Sequence, residues 1–214
     1  MKVIVIGDIH GDFPVLNNIL LNTEADLYLQ VGDLAGYLNY ETPYYDPLPK
    51  PVLFVSGNHE AHTELEPYNI APNHLTFEIK KNLWYLPIGH YTDIKGIRIG
   101  GLGGNYAPSR FKLQRYQLHE GRKRHYTQGD VDKLLESKYL DILITHEASS
   151  PFKVPHRIGY EDDIGRKEIT FLINKLKPKY HFYGHHHFPH TSKIGNTKSV
   201  CVPIYSFLRV DMDD

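Results

Sequence analysis

The 214-residue chain reads as an α/β protein with a mixed sheet, or two sheets, and helices outside them. Three observations predict this. Short apolar runs rich in β-branched residues recur at 3–6, 27–31, 52–55, 97–99, 140–144 and 181–183, several ending in Gly or a polar residue as buried strands do. Helix-like stretches lie between them, and two later segments have hairpin chemistry.

Each element follows from its own residues. The stretch 13–21 puts Phe13, Leu16 and Leu20 on one face of a helix. Thr127-Gln-Gly-Asp130 is a capped start for a helix carrying Val131, Leu134 and Leu135. A third helix is expected over 161–176, with Ile164, Ile169, Leu172, Ile173 and Leu176 as its stripe and Pro178 after its end. Hairpins are expected at 91–100, turning at Lys95-Gly96, and at 190–202, turning at Gly195-Asn196. Residues 36–51, rich in Tyr and Pro, read as a long loop that could wall a cleft at Tyr37–Tyr45 but more simply is a stiff connector. No repeat and no linker is evident, so a single domain over 1–214 is expected.

Composition narrows the class. With 24 Lys+Arg against 25 Asp+Glu, the formal charge of −1 excludes a polycation or an acidic solvating tail, though not a local basic patch. The one cysteine, Cys201, excludes an internal disulfide and a thiolate-based zinc site. No run approaches the roughly 18–20 apolar residues of a membrane span, so a soluble, cytoplasmic protein without a membrane partner is expected. The 14 histidines are unusual for this length.

Five clusters account for part of that excess: Gly7-Asp8-Ile9-His10-Gly11, Gly32-Asp33, Gly57-Asn58-His59-Glu60, Thr145-His146 and Gly184-His185-His186-His187. Four directly follow an expected strand, and strand ends on one side of a sheet are where α/β folds build their sites. The glycines would let the chain turn sharply and aim the next side chain into a shared crevice. The donors are Asp8, His10, Asp33, Asn58, His146, His185 and His187. Seven N/O donors exceed one tetrahedral zinc. If Asp33 bridges, they make two four-ligand sets around ions about 3.5–4 Å apart. Imidazole with carboxylate suits Mn, Fe, Zn or Ni better than Ca. Two divalent ions are expected, manganese first, with iron, zinc or nickel as alternatives.

Taken together and in order, these clusters resemble the calcineurin-like metallophosphoesterase family over residues 3–187. The resemblance implies a four-layer α/β/β/α sandwich of two mixed sheets flanked by helices, with a dinuclear metal centre at the sheet rim. It implies one ion on Asp8, His10, Asp33 and His187, and another on Asp33, Asn58, His146 and His185. His59 would face the leaving group or the phosphoryl oxygens as a protonated electrostatic partner or general acid, making Asp33, Asn58 and His59 the candidate catalytic residues. The implied reaction is in-line hydrolysis of a phosphate ester by a hydroxide held between the ions.

Other residues have plainer readings. His62, His74, His90, His119, His156, His181 and His190 read as ordinary surface or core histidines, and His125 is undecided. His186 would point to the opposite face of an extended segment from its neighbours. Asp12 and Glu60 read as helix-start acids, with Glu60 also a candidate to orient His59, and Asp162 and Asp163 as the first turn of a helix.

Three features bear on substrate. Gly32-Asp33 continues Leu34-Ala35-Gly36-Tyr37, without the Arg that follows in the similar phosphoprotein phosphatases, which argues against that activity. The middle of the chain, from Gly100 to Glu147, is similar to lariat debranching enzymes, which open 2′–5′ phosphodiesters. It departs from them at Thr145-His146-Glu147-Ala148-Ser149, and their long C-terminal region is missing. Residues 109–126 hold six cations, including Arg110, Arg122, Lys123 and Arg124, interleaved with Phe111, Tyr116 and Tyr126. That composition suits a nucleotide or single strand as readily as a solvated lid. The expectation is a phosphodiesterase on a nucleotide or nucleic acid. The alternatives are a phosphomonoesterase and, in another class, a non-catalytic scaffold on the same fold, which would be expected to have lost some of the donors.

Overall fold

The first apolar run shows how the layers arise. In strand β1 (Lys2–Ile6), Val3 and Val5 point to one side and Ile4 and Ile6 to the other, and all four are buried. A strand buried on both faces needs a partner layer on each. The computed structural model, which describes residues 1–35, 47–153 and 163–212, supplies both. Val3 and Val5 join Leu29, Val31, Leu53 and Val55 against Ile99, Ile142, Ile144, Phe182 and Val200 of a second sheet. Ile4 and Ile6 pack with Leu16 and Leu20 of helix α1 (Phe13–Leu21) and Leu65 of α2 (His62–Asn69).

The first sheet also contains β2 (Leu27–Gln30), β3 (Val52–Phe54), β4 (Phe77–Lys80), β5 (Leu83–Tyr85) and β12 (Phe207–Asp211), in the order β12-β1-β2-β3-β5-β4. The second runs β10-β11-β9-β8-β7-β6, from β6 (His90–Ile94), β7 (Ile97–Leu102), β8 (Ile142–Thr145), β9 (Tyr180–Tyr183), β10 (His190–Ile194) and β11 (Thr197–Cys201). Its outer face carries Leu102 and Leu143, covered by Val131 and Leu134 of α4 (Gln128–Leu135) and Ile169, Leu172 and Leu176 of α5 (Lys167–Leu176). A short helix, α3 (Pro108–Phe111), and two 3-10 turns, Arg115–Gln117 and Glu120–Arg124, fill the segment between β7 and α4. The expected four-layer sandwich of two mixed sheets is therefore the observed one. β1, β2, β3 and β5 are parallel, as are β7, β8, β9 and β11, so eight C-terminal strand ends gather along one rim.

Local chemistry explains several element ends. Asp12 caps α1 by accepting from the Val15 N–H at 3.2 Å. Thr127 and Asp130 form the reciprocal capping box expected of α4. Lys95 and Gly96 take positive φ values of 52° and 83° at the β6–β7 turn, the twist a tight hairpin needs. Three strands, β4, β5 and β12, go beyond the expected set. β7 runs on to Leu102 through Gly100 and Gly101, where an added Cβ would press on Leu140 and Leu86.

The helix expected over 161–176 begins instead at Lys167. Asp163 is not in its first turn. Its carboxylate accepts from the N–H groups of Phe152 (2.7 Å) and Gly165 (2.9 Å), and the Arg166 N–H donates to Ala148 at 2.9 Å. These bonds tie 163–166 to the loop after β8, and Ile164 packs with Phe152 instead of joining the helix stripe. Asp162, His156 and the Tyr37–Tyr45 loop lie outside the described residues.

One buried histidine stakes stability on pH. His181 in β9 is fully buried, with Nε2 2.8 Å from the Thr145 hydroxyl and Nδ1 2.8 Å from the Ser199 hydroxyl. Burial pushes it down to about 3, so the folded chain keeps it neutral while the unfolded chain protonates it near 6.5. Its stabilisation is complete above pH 6.5 and is lost as the pH falls from there towards 3, at roughly 1 kcal/mol per pH unit. Urea titrations at stepped pH are expected to show this acid slope, made shallower in His181→Phe.

Candidate metal centre

The site forms where the parallel strand ends meet. Asp8 and His10 follow β1, Asp33 follows β2 and Asn58 follows β3, whereas His146 follows β8, and His185 and His187 follow β9. The structure brings all seven expected donors together, in overlapping groups. Ligand-capable atoms of Asp8, His10 and His187 lie within 4.8 Å of one another, as do those of Asp33, His146 and His185. Asn58 joins the second group, with Oδ1 3.2 Å from His146 Nε2. His10, Asp33 and His59 form a third such group.

Asp33 is at the centre. Its Oδ1 accepts from the N–H groups of Asn58 (2.7 Å) and His59 (3.0 Å), which leaves Oδ2 facing His146 at 3.3 Å and His10 and His59 at 3.8 Å. Asp8 is fully buried; its Oδ2 accepts from the His185 N–H at 3.0 Å and lies 3.1 Å from His187 Nε2. His146 is fixed from behind: Nδ1 lies 3.0 Å from the Val31 carbonyl, an arrangement that keeps a proton on Nδ1 and turns Nε2 inward. His10 Nε2 and His187 Nε2 meet at 3.1 Å, and His185 Nδ1 and His146 Nε2 at 3.2 Å.

The donors are held by strained backbone. His10, Asp33, His185 and His187 all have φ between 46° and 65°, a region that non-glycine residues seldom occupy and that clusters at functional sites. This corrects the role expected of the glycines. Of those preceding a donor, only Gly32, at φ 99°, supplies the left-handed turn. Gly57 and Gly184 matter for closeness, because a Cβ there would collide with the carboxylates of Asp33 and Asp8 respectively. It also means that 184–187 is a folded turn, not an extended segment. His186 still turns away from the donors, its ring 4.4 Å from that of Phe152.

The electrostatics fit a cation. Two buried carboxylates face inward-pointing imidazoles, and Asp33 with Asp8 pushes His146 up to about 10 despite complete burial. His146 in turn holds Asp33 far below the ordinary carboxylate range. Such a cluster favours positive charge at its centre, and its borderline N/O donors suit a divalent transition metal. His59 stands at the mouth, its side chain 22% exposed. Burial, reinforced by His146 and Arg124, outweighs Asp33 and lowers its pKa from the ordinary imidazole value.

Some supporting residues differ from the sequence reading. Glu60 neither starts α2, whose N-cap is Ala61, nor supports His59. Fully buried, its carboxylate accepts from the N–H groups of Leu34 (2.7 Å) and Gly57 (2.5 Å), bracing the loop of Asp33 against that of Asn58, and burial pushes it up to about 8. Gln30, a polar side chain within the apolar run 27–31, carries no signal of its role in the sequence. It bonds both backbone groups of Gly32, at 2.9 and 2.6 Å, and the Gly7 carbonyl at 3.2 Å. Glu147, beside His146, accepts from Arg166 Nε at 2.9 Å and from the Tyr106 N–H at 2.5 Å, anchoring the start of the basic segment.

The basic segment divides. Arg124 reaches the site, lining a pocket with Asn58. Arg122 is exposed, Lys123 is half-buried, and Arg110 lies on α3 near His125; no contact among the described residues brings these three to the donors. Arg115, counted with the cations, is inward and paired with Glu66 and Asp130.

This fold and donor set make an α/β sandwich with a candidate divalent-metal centre at its rim. The chain belongs to the calcineurin-like phosphoesterase family, whose sequence profile matches residues 1–189. It is 26% identical over 269 residues to a lariat debranching enzyme of Arabidopsis thaliana, covering 98% of this chain and 62% of that protein. It is 29% identical over 208 residues to one from Gallus gallus, covering 83% of this chain and 36% of that protein. The chain thus spans less than two thirds of the length of these relatives. Among solved structures, TT1561 of Thermus thermophilus shares the fold at a TM-score of 0.62 and 14% identity, covering 99% of this chain and 98% of that one. Among the described residues, no helix is long and apolar enough to cross a membrane.

Proposed function

We propose that this chain is a divalent-metal-dependent phosphodiesterase acting on a nucleotide or nucleic acid. The observation that carries the reading is the convergence of seven donors around Asp33, with His59 open to solvent beside them. Asp8, His10, Asp33 and His187 would hold one ion, and Asp33, Asn58, His146 and His185 a second, with manganese the first candidate. Bound there, the ions would supply Lewis-acid charge to the phosphate oxygens and acidify water from 15.7 to about 7.

The protein's own groups do the rest. The N–H groups of Asn58 and His59 hold Asp33 in one orientation, and the Val31 carbonyl fixes the His146 tautomer, so little reorganisation is needed when charge develops. A phosphate at the mouth offsets the burial of His59 and draws a proton onto its ring, which can then be passed to the leaving oxygen. Arg124 adds positive charge on the same side. The similarity to lariat debranching enzymes supports a nucleic acid diester as substrate.

Parallel assays with bis(4-nitrophenyl) phosphate, 4-nitrophenyl phosphate, and 2′–5′ and 3′–5′ dinucleotides, on protein stripped and reloaded with Mn, Fe, Zn or Ni, test this. The diesters are expected to be cleaved faster than the monoester, with manganese giving the highest rate. Preference for the monoester would make the chain a phosphomonoesterase, and inertness on every ester after reloading would leave only a scaffold. In the same panel, replacing Arg122, Lys123 and Arg124 together by Ala is expected to weaken an oligonucleotide far more than the aryl diester; equal losses would remove the basic segment from recognition.

A further inference from the structure

Each sheet ends in two edge strands, and three of these four are guarded against pairing with another chain. β4 is irregular, its register with β5 shifting between Glu78 and Lys80. β6 is buried over His90, Tyr91 and Thr92. β10 carries an exposed lysine, Lys193, beside Lys198 of β11.

β12 is regular. It runs in unbroken antiparallel register with β1 from Phe207 to Asp211. The ladder continues at both ends: the Gly7 N–H donates to the Ser206 carbonyl at 3.0 Å and the Met212 N–H to the Met1 carbonyl at 2.9 Å. Even-numbered residues therefore turn their backbone towards β1, and Phe207, Arg209 and Asp211 turn theirs outward, where the sheet ends. The side chains sort in the same way. Leu208, Val210 and Met212 pack on the core between the sheets yet stay partly exposed. Leu208 and Val210 line a cavity of about 230 Å³ with Tyr180, Phe182 and Val200, so the core is open at this edge. The other face carries Arg209, which is exposed, and Asp211, 42% exposed with Oδ1 3.2 Å from the Met1 ammonium.

Charge selects the occupant. An antiparallel strand on this edge should offer an anion opposite Arg209, a cation opposite Asp211, and apolar residues on the inner face between them. β12 itself does so. Turned about a two-fold axis at Val210, a second copy sets its Asp211 opposite Arg209 and its Arg209 opposite Asp211. Val210 then meets Val210, and Met212 meets Leu208 over the open core. Both charged pairs fall where the backbone faces outward, so each exchanges two N–H···O bonds. Moving the axis to Arg209 would instead oppose two guanidinium groups.

We propose that β12 is a self-complementary dimerisation edge, joining the six-stranded first sheets of two copies into one continuous sheet in this register. The strand bears none of the seven donors, so the inference stands apart from the phosphodiesterase reading. One short strand from each copy makes a small contact, below the roughly 1,200 Å² of stable interfaces, so the dimer forms only at high protein concentration.

Sedimentation velocity at stepped concentrations is expected to show a reversible monomer–dimer equilibrium. Arg209→Asp sets Asp against Asp at both charged pairs, and Asp211→Arg sets Arg against Arg. Each is expected to raise the dissociation constant at least about tenfold. Mixed in equal amounts, the two variants regain complementary pairs and are expected to associate at least as tightly as the wild type, which also shows that both are folded. A second readout fixes the register. Val210→Cys sets two thiols across the axis at a Cα separation of about 4.5 Å and is expected to crosslink on mild oxidation. Leu208→Cys leaves its thiols about 13 Å apart along the strands and is expected not to. A wild-type protein that is monomeric up to about 1 mM, a dimer unchanged by either charge variant, or crosslinking through Leu208→Cys and not Val210→Cys would overturn the proposal.

Discussion

Asp33→Asn is expected to lower hydrolysis of bis(4-nitrophenyl) phosphate at least about 10³-fold, because it removes the charge shared by both proposed ion sites. The backbone should tolerate the change. Asp33 sits at φ 52°, and Asn is among the few residues that enter this region readily. An Asn oxygen can still accept from the N–H groups of Asn58 and His59, but its NH₂ then faces His146 and His10, where Oδ2 now lies. A donor pointing inward disfavours a cation. Atomic emission on the purified variant is therefore expected to find one divalent ion or fewer per chain, with an unaltered circular dichroism spectrum. A variant that keeps two ions and its rate would disprove the shared-aspartate arrangement.

Arg115→Met is expected to be the most damaging single substitution for stability. Arg115 donates to Glu66 at 2.6 and 3.1 Å, to Asp130 at 2.9 Å and to the Lys123 carbonyl at 3.0 Å. Its side chain is 10% exposed, and those of Glu66 and Asp130 are 12% and 3% exposed. Truncation leaves two carboxylates facing each other with little water, at a cost of roughly 3–5 kcal/mol. At about 2–4 °C per kcal/mol for a chain of this size, the melting temperature should fall by roughly 6–20 °C. Scanning calorimetry measures it, and a fall of less than about 2 °C would show that the network contributes little. The same contacts tie α2 and α4 to the 3-10 turn carrying Arg124, so in this protein one arginine of the basic segment positions another.

Much of the site was legible because its chemistry is written in short contiguous strings. Gly7-Asp8-Ile9-His10 and Gly184-His185-His186-His187 announce donors at strand ends whatever the rest of the fold does, and the runs at 3–6, 27–31 and 52–55 are apolar enough to need burial on both faces. What escaped depends on distant partners. Glu60 looks like a helix-start acid until Leu34 and Gly57 are seen to donate to it. Arg115 looks like its cationic neighbours until Glu66, 49 residues away, is found beside it. β12 shows only a weak alternation because it is an edge strand whose one neighbour, β1, lies at the other end of the chain. The late start of α5 is set by Asp163 and Arg166 binding back to the loop after β8, which no helical stripe records.

The origin of the donors has a mechanical consequence. Asp8, His10, Asp33 and Asn58 stand on one sheet, and His146, His185 and His187 on the other, so neither sheet alone offers a full set. Any cation held here rivets the two halves of the sandwich at their rim. Loading and cohesion are then a single equilibrium: whatever weakens the grip on the ions also loosens the seam, and a substitution deep between the sheets can starve the centre without touching a ligand.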